Sequence, residues 1–411
     1  MISRSANSKK DPMLDKQIHR IKFYPVSNGD TSQFILANGK RLIFDFNHRK
    51  TGEAVDSPHI DLKAYLKKEL DDAGKNTVEV FALTHADTDH LAGASDFFYL
   101  NHASKYQGEG RIKIETLWVP AVMLLEKYRR NESHPEYAPW AEEAWHRLLE
   151  GKGVRIFSKP KELATQLTEE LKKIKLPANS RDHLFTHAGE FVPGFSLNAD
   201  GLELFTHSPF ADHKEDGTTV ERNEESLMFH VRFSADGKTT DMIQCGDSEA
   251  EALEWIVTKT QKEKKDERLC WDLFNIPHHC SYLALNINGQ KGDEKTVPLP
   301  KVKELLDFGR PGAYIVSSSF SIPDNNKAYE QTQPPHIQAR KTYEDALDEI
   351  GGTAFLVTME ESTEKKQEPI EFEISSRGLK RTKIATATDK ISAAAIITSN
   401  SAPRAGSDTY D

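Results

Sequence analysis

The sequence predicts an α/β chain in which two β-sheets are sandwiched between helices, a four-layer αββα arrangement with a helix-rich insertion. Three observations carry this reading. Strand-like runs cluster toward both ends of the core of the 411-residue chain. Helical periodicity follows each strand set. The stretch of about 93–200, mostly helical in pattern, falls between the two sets.

In order, residues 1–17 read as a flexible leader. Ile21-Lys-Phe-Tyr-Pro-Val26 and Gln33-Phe-Ile-Leu36 are strand-like, and the turn signal Ala37-Asn-Gly-Lys40 leads to a third strand, Arg41-Leu-Ile-Phe-Asp-Phe46. Leu62, Tyr65, Leu66 and Leu70 share one helical face over 60–72, and Gly74 ends that helix. The apolar run at 78–83 is a strand. A short strand is expected near Ile112–Val119, an amphipathic helix around 140–149, another helix at 160–174, and irregular chain at 176–200. Strands return at 202–206, 226–233 and 240–245, with Ala235-Asp-Gly-Lys238 joining the last two. A helix at 248–262, a strand at 273–276, a helix near 299–308, a strand at 313–318, a helix at 337–350 and strands near 353–359 and 369–375 complete one unit over 18–375. The Ser-, Thr-, Ala- and Lys-rich segment 376–411 reads as a flexible tail.

Composition sets limits. Charged residues make up 29% and hydrophobic ones 37%, ordinary for a soluble protein. No run reaches the roughly 18 apolar residues of a membrane helix, and the N-terminus lacks the apolar stretch of a signal peptide. Cys245, Cys270 and Cys280 are the only cysteines, too few for a disulfide framework and consistent with a cytoplasmic protein. A net charge of −10 argues against broad adhesion to nucleic acid, but not against a nuclease, because metal-holding carboxylates contribute to it.

The richest motif is Thr84-His-Ala-Asp-Thr-Asp-His90, directly after the 78–83 strand. It places His85, Asp87, Asp89 and His90 within six residues, and two imidazoles with two carboxylates suit zinc or manganese. A polar loop capping a helix is the plainer reading. Other strands also end in residues that hold metal or water: Asp30 in Ser27-Asn-Gly-Asp30, Asp45 after Leu42-Ile-Phe, Asp247 after Met242-Ile-Gln-Cys-Gly246, and His278-His279 after Leu273-Phe-Asn-Ile-Pro277. A turn cap at Asp45, a helix cap at Asp247 and a surface pair at His278-His279 are their structural alternatives.

Taken together these segments resemble the metallo-β-lactamase-fold hydrolases, and within them the soluble metallohydrolase domain of the ComEC DNA-uptake proteins and their free-standing relatives. The superfamily motif is His-x-His-x-Asp-His, and the ComEC-like branch often has Asp at the second ligand position, as Asp87 is here. Val26-Ser-Asn-Gly-Asp-Thr31 resembles that branch's opening segment. Ile43-Phe-Asp45-Phe-Asn47 resembles its Asp-x-Gly strand end, with Asn for Gly. Asn223-Glu-Glu-Ser-Leu227 with Gly246-Asp247 resembles its middle segment, and His278-His279-Cys280-Ser281 its His-His-Gly-Ser, with Cys for Gly.

The resemblance, over about 20–350, implies two divalent cations, zinc or manganese. His85 and Asp87 would hold the first, Asp89 and His90 the second. Asp247 would bridge them and His279 would complete the set. His278 would face the substrate, and Asp45 would orient a ligand. Glu249 could contact substrate or sit on a helix surface. The superfamily's further ligand histidine has four candidates, His183, His187, His207 and His213, of which His207 after its strand is the first choice. His336 in Pro334-Pro-His336 weakly resembles the late Gly-His-Pro segment and would touch substrate.

The implied chemistry is hydrolysis by a hydroxide shared between two cations, most simply of a phosphodiester in nucleic acid or a nucleotide. Lys127, Arg129 and Arg130 could meet phosphate or form a solvated helix face. Hydrolysis of a non-phosphate ester, amide or lactone is a second reading. A metal-stabilised protein-binding component of a multi-protein bacterial system, such as phage defence, is a third.

Overall fold

A computed structural model describes residues 17–54, 56–125, 135–210, 226–361 and 368–382. The leader, most of the tail, His213, Asn223 and the basic residues Lys127, Arg129 and Arg130 lie outside that set.

Among the described residues, fifteen strands form two sheets. The first comprises β1 (His19–Phe23), β2 (Ser32–Ile35), β3 (Arg41–Phe44), β4 (Thr77–Ala82), β5 (Lys113–Pro120), β6 (Val154–Phe157), β7 (Phe185–Thr186), β14 (Ile370–Ser375) and β15 (Gly378–Thr382), in the order β15-β14-β1-β2-β3-β4-β5-β6-β7. The second comprises β8 (Leu202–Ser208), β9 (Met228–Ala235), β10 (Lys238–Cys245), β11 (Trp271–Asn275), β12 (Gly309–Ser317) and β13 (Ala354–Val357), in the order β13-β12-β11-β10-β9-β8. Each sheet is antiparallel on one side and parallel on the other.

Three apolar layers bind four structural layers. Phe34, Phe44 and Val80 of the first sheet meet Leu204, Phe229, Val231 and Leu273 of the second. The outer face of the first sheet is covered by Leu62, Leu66 and Leu70 of the helix Leu62–Asp72 and by Trp140, Ala144 and Leu148 of the helix Tyr137–Glu150. The outer face of the second packs on the helices Ala250–Lys262, Pro300–Asp307 and Ile337–Glu349. This is the αββα sandwich expected from the sequence.

Two boundaries differ from expectation. The segment 93–200 holds more strand than expected: beside β5, which matches the strand expected near Ile112–Val119, β6 and β7 extend the first sheet further. Val154-Arg-Ile-Phe157 is too short to stand out beside two strong helical patterns. Residues 376–382, expected in the flexible tail, belong to the first sheet, because β15 pairs with β14 through a tight turn at Ser375–Gly378. Among the described residues no helix is long and apolar enough to cross a membrane.

Within this segment Glu143 and Arg147 form a buried pair. Arg147 Nε donates to Glu143 at 2.6 Å, and Asn101 Nδ2 and the His102 backbone N–H donate to the same carboxylate at 2.9 Å. Burial opposes the charge, but Arg147 and these donors hold the Glu143 carboxyl down at about 2 against an ordinary 4.5. Its stabilisation is therefore complete above about pH 4.5 and is lost as pH falls toward 2. Glu143→Gln is expected to cost about 3 kcal/mol at neutral pH, since Arg147 is left buried and unpaired. It should also flatten the pH dependence of urea unfolding between those limits.

Candidate metal centre

The parallel pairs fix the place of the site. β3 and β4 run in register with Phe44 opposite Ala82, so Asp45 and the Thr84–His90 loop leave the first sheet at one edge. β10 and β11 run in register with Gln244 opposite Asn275, so Asp247 and His278-His279 leave the second sheet together. The two edges are joined where Leu227 N–H donates to Thr84 O at 2.9 Å and Gly246 N–H donates to Leu227 O at 3.1 Å. A Cβ on Gly246 would lie 2.5 Å from Thr84 Oγ1, so glycine permits this approach.

His85, His90 and His279 are all buried, and their Nε2 atoms surround the Asp247 carboxylate. His90 Nε2 lies 3.3 Å from Asp247 Oδ1; His85 and His279 Nε2 lie 3.7 and 3.5 Å from Oδ2. Asp89 Oδ2 is 3.2 Å from His279 Nε2, and Asp87 Oδ2 is 3.8 Å from His85 Nε2. The sets His85, His90, Asp247 and Asp89, His90, His279 each place one donor atom per residue within 4.8 Å of the others. His90 thus takes part in both groups, where the resemblance assigned it to one.

These spacings are long for hydrogen bonds. They match two ligands around a common ion, since donors at about 2.1 Å in tetrahedral geometry lie roughly 3.4 Å apart. His85, His90 and His279 Nε2 and Asp247 Oδ1 are moreover buried with no hydrogen-bond partner. Buried polar atoms are almost always satisfied, so a cluster of orphans facing one point fits a bound cation.

The far nitrogens fix this orientation. Asp45, buried and with φ of +55°, accepts from Thr84 N–H at 2.7 Å, Thr84 Oγ1 at 2.6 Å and His90 Nδ1 at 2.9 Å. Thr84 Oγ1 spends its proton on Asp45 and so accepts from His85 Nδ1 at 3.1 Å. His279 Nδ1 donates to Ser318 O at 2.9 Å. Each ring therefore turns the lone pair of Nε2 inward.

The charges of the cluster act strongly on one another. Burial alone would lower His90, but Asp247 and Asp45 raise it well above its ordinary value. His279 is raised likewise, chiefly by Asp247 against burial. Burial would lift Asp247, but His279, His90 and His85 hold it well below the usual carboxylate range. Asp89 is held low against burial by His279 and His90. His85 is lowered by burial and by His90.

The structural alternatives fare poorly here. The helix after Asp87 is one turn, Thr88–Leu91, and no side chain caps it. The helix after Asp247 begins only at Ala250, again without a side-chain cap. His278 and Glu249 stand at the rim, partly exposed, with Nδ1 and Oε1 4.0 Å apart. His278, His279 and Cys280 all have positive φ, of 52°, 51° and 64°. Cys280 thus holds, at some cost in strain, a conformation that glycine adopts freely.

Two tentative assignments do not hold. His207 sits at a register shift in β8, under the helix Ala250–Lys262, with Nδ1 3.4 Å from Thr260 Oγ1. There its Nε2 donates to Arg268 O at 2.8 Å and burial lowers it to about 3, away from the cluster. His183 and His187 do not join the cluster either. His336 is buried and stacks on Tyr282 at 3.9 Å, with Nδ1 accepting Tyr282 N–H at 3.2 Å. It braces the His278–Ser281 turn and has almost no surface to offer a substrate.

The structure adds Thr84, which relays Asp45 to His85, and gives a place to Asp30, which the sequence marks as able to hold metal or water without assigning it a role. Asp30 is buried and pushed up to about 6, chiefly by burial, and groups with Asp247 and His279.

No family model and no curated protein sequence matches this chain. Solved structures align over most of its length at very low identity. A diphosphatase from the PhnP family covers 87% of this chain and 98% of its own, at 9% identity and a TM-score of 0.29. The class B3 di-zinc metallo-β-lactamase LRA-12 from an Alaskan soil metagenome covers 85% and 97%, at 11% identity and 0.25. The metallo-β-lactamase GOB-18 from Elizabethkingia meningoseptica covers 85% and 96%, at 9% identity and 0.26. At such values the chemistry has to be argued from this chain's own side chains.

Proposed function

We propose that this protein is a hydrolase dependent on two divalent cations, zinc or manganese, and that it cleaves phosphodiesters in nucleic acid or nucleotides. The observation that carries the reading is the convergence on the Asp247 carboxylate of three buried imidazole Nε2 atoms, which like Asp247 Oδ1 have no hydrogen-bond partner. Such cations, when bound, supply an activated water and neutralise charge developing on the scissile group.

The chain's residues prepare that chemistry. Asp45 and Thr84 set the tautomers of His90 and His85, and Ser318 O sets that of His279. Asp247 presents both oxygens to the cluster, so it is suited to join two cations. Asp87 and Asp89 stand on its more open side, and His278 and Glu249 line the rim where substrate would rest. A donor set this rich in carboxylate is comparatively hard, which favours manganese and phosphoryl oxygen. The sequence resemblance to the ComEC-like branch points the same way, and carries the nuclease reading further than the geometry does.

The test is incubation of purified protein with single- and double-stranded DNA, RNA, cyclic nucleotides and a chromogenic phosphodiester, in manganese or zinc. Metal-dependent cleavage of at least one is expected. Failure on all of them, with cleavage of a chromogenic carboxylic ester or lactone, would replace the phosphodiesterase reading by the second one.

A further inference from the structure

The turn between β1 and β2 is held against the cluster in an unusual way. Ser27 and Gly29 have φ of 72° and 126°. A Cβ on Gly29 would lie 2.0 Å from Asn47 Nδ2 and 2.5 Å from Asp89 O, so only glycine fits. Asn47 clamps the turn by donating to Asn28 O at 3.0 Å, and its own N–H donates to Thr31 Oγ1 at 3.0 Å. On the other side Asn28 donates to Pro334 O at 2.6 Å and accepts from Phe320 N–H at 3.1 Å. β2 then pairs with β3 with Ser32 opposite Phe44. The result carries Asp30 past the sheet edge, beside Asp45, into the interior.

Asp30 is only 4% exposed, and its Oδ1 is buried without a hydrogen-bond partner. One of its oxygens lies within 4.8 Å of donor atoms on both Asp247 and His279. Isolating a second carboxylate beside Asp247 in a buried site is costly unless a cation shares it. No arginine or lysine is paired with Asp30 among the described residues, and the clamped turn fixes its backbone beside the cluster.

We propose that Asp30 is a further metal ligand, placed with Asp247 and His279 around one of the two cations. The proposal rests on the two-cation reading above. It gives the centre a carboxylate from the β1–β2 turn, in a centre to which no histidine between His90 and Asp247 contributes among the described residues.

The experiment compares wild type with Asp30→Asn, both stripped of metal. Manganese binding is followed by calorimetry and elemental analysis, and metal-free melting by circular dichroism. Wild type is expected to bind about two equivalents. Asp30→Asn should retain one, with the other weakened at least tenfold, while its metal-free form melts at the same temperature or higher, because a buried charge is gone. Unchanged stoichiometry and affinities, with a lower metal-free melting temperature, would make Asp30 a structural residue and overturn the proposal. Wild type binding no metal would overturn the two-cation reading itself, and this proposal with it. Should Asp30→Asn not fold, the smaller Asp30→Ser gives the same comparison.

Discussion

Asp247→Ala is expected to reduce bound metal from about two equivalents to fewer than one and to lower hydrolysis on the order of 10³-fold, as removal of a preorganised charged group does. Asp247 is the carboxylate that faces all three inward imidazoles, at 3.3, 3.5 and 3.7 Å. Its loss also removes the principal anion that raises His90 and His279. Elemental analysis after dialysis measures the first effect and initial rates the second. Asp247→Asn keeps the shape and should fail nearly as badly, since an amide offers one neutral oxygen where two charged ones stood. A variant that folds, keeps two equivalents and turns over normally would remove Asp247 from the centre.

Much of this site was legible because strand ends are legible. Leu42-Ile-Phe, Val78–Leu83, Met242–Cys245 and Leu273–Ile276 are short apolar runs, each followed by a residue with metal-binding chemistry. Parallel pairing of β3 with β4 and of β10 with β11 then brings those ends to shared edges. What the sequence could not supply was orientation. His207 also lies near a strand end, yet β8 sets it beneath a helix, beside Thr260, where it bonds to Arg268 O. His336 shares a resemblance in its flanking prolines, but packing on Tyr282 buries it. Asp30 lies in a turn, and only the close contacts at Gly29 show that this turn leans inward. Thr84 carries no signal at all, because a threonine hydroxyl matters here only through its two partners.

Asp45→Asn is the sharper test of how the centre is held, because Asp45 acts on the ligands through their far nitrogens. A carboxylate can only accept, so His90 Nδ1, 2.9 Å from Asp45 Oδ2, must be the protonated nitrogen. With Oδ1 of the new asparagine still accepting from Thr84 N–H, its amide nitrogen confronts both His90 Nδ1 and Thr84 Oγ1. His90 then lowers its energy by moving its proton to Nε2, which presents N–H to the centre in place of a lone pair. Thr84 Oγ1 turns from donor to acceptor toward residue 45, and His85 Nδ1 loses an undivided acceptor. Two ligands are compromised by one substitution that replaces neither, so metal affinity should fall by about 100-fold, the upper end of effects from residues behind the ligands. Calorimetry measures the loss, and nitrogen chemical shifts of labelled histidine report the exchanged His90 tautomer. Thr84→Val breaks only the relay to His85 and should cost about tenfold. Equal losses in the two variants would mean that Asp45 acts through Thr84 alone. Unchanged affinity in Asp45→Asn would mean that the ring of His90 is held by packing, and that its hydrogen bond to Asp45 is incidental.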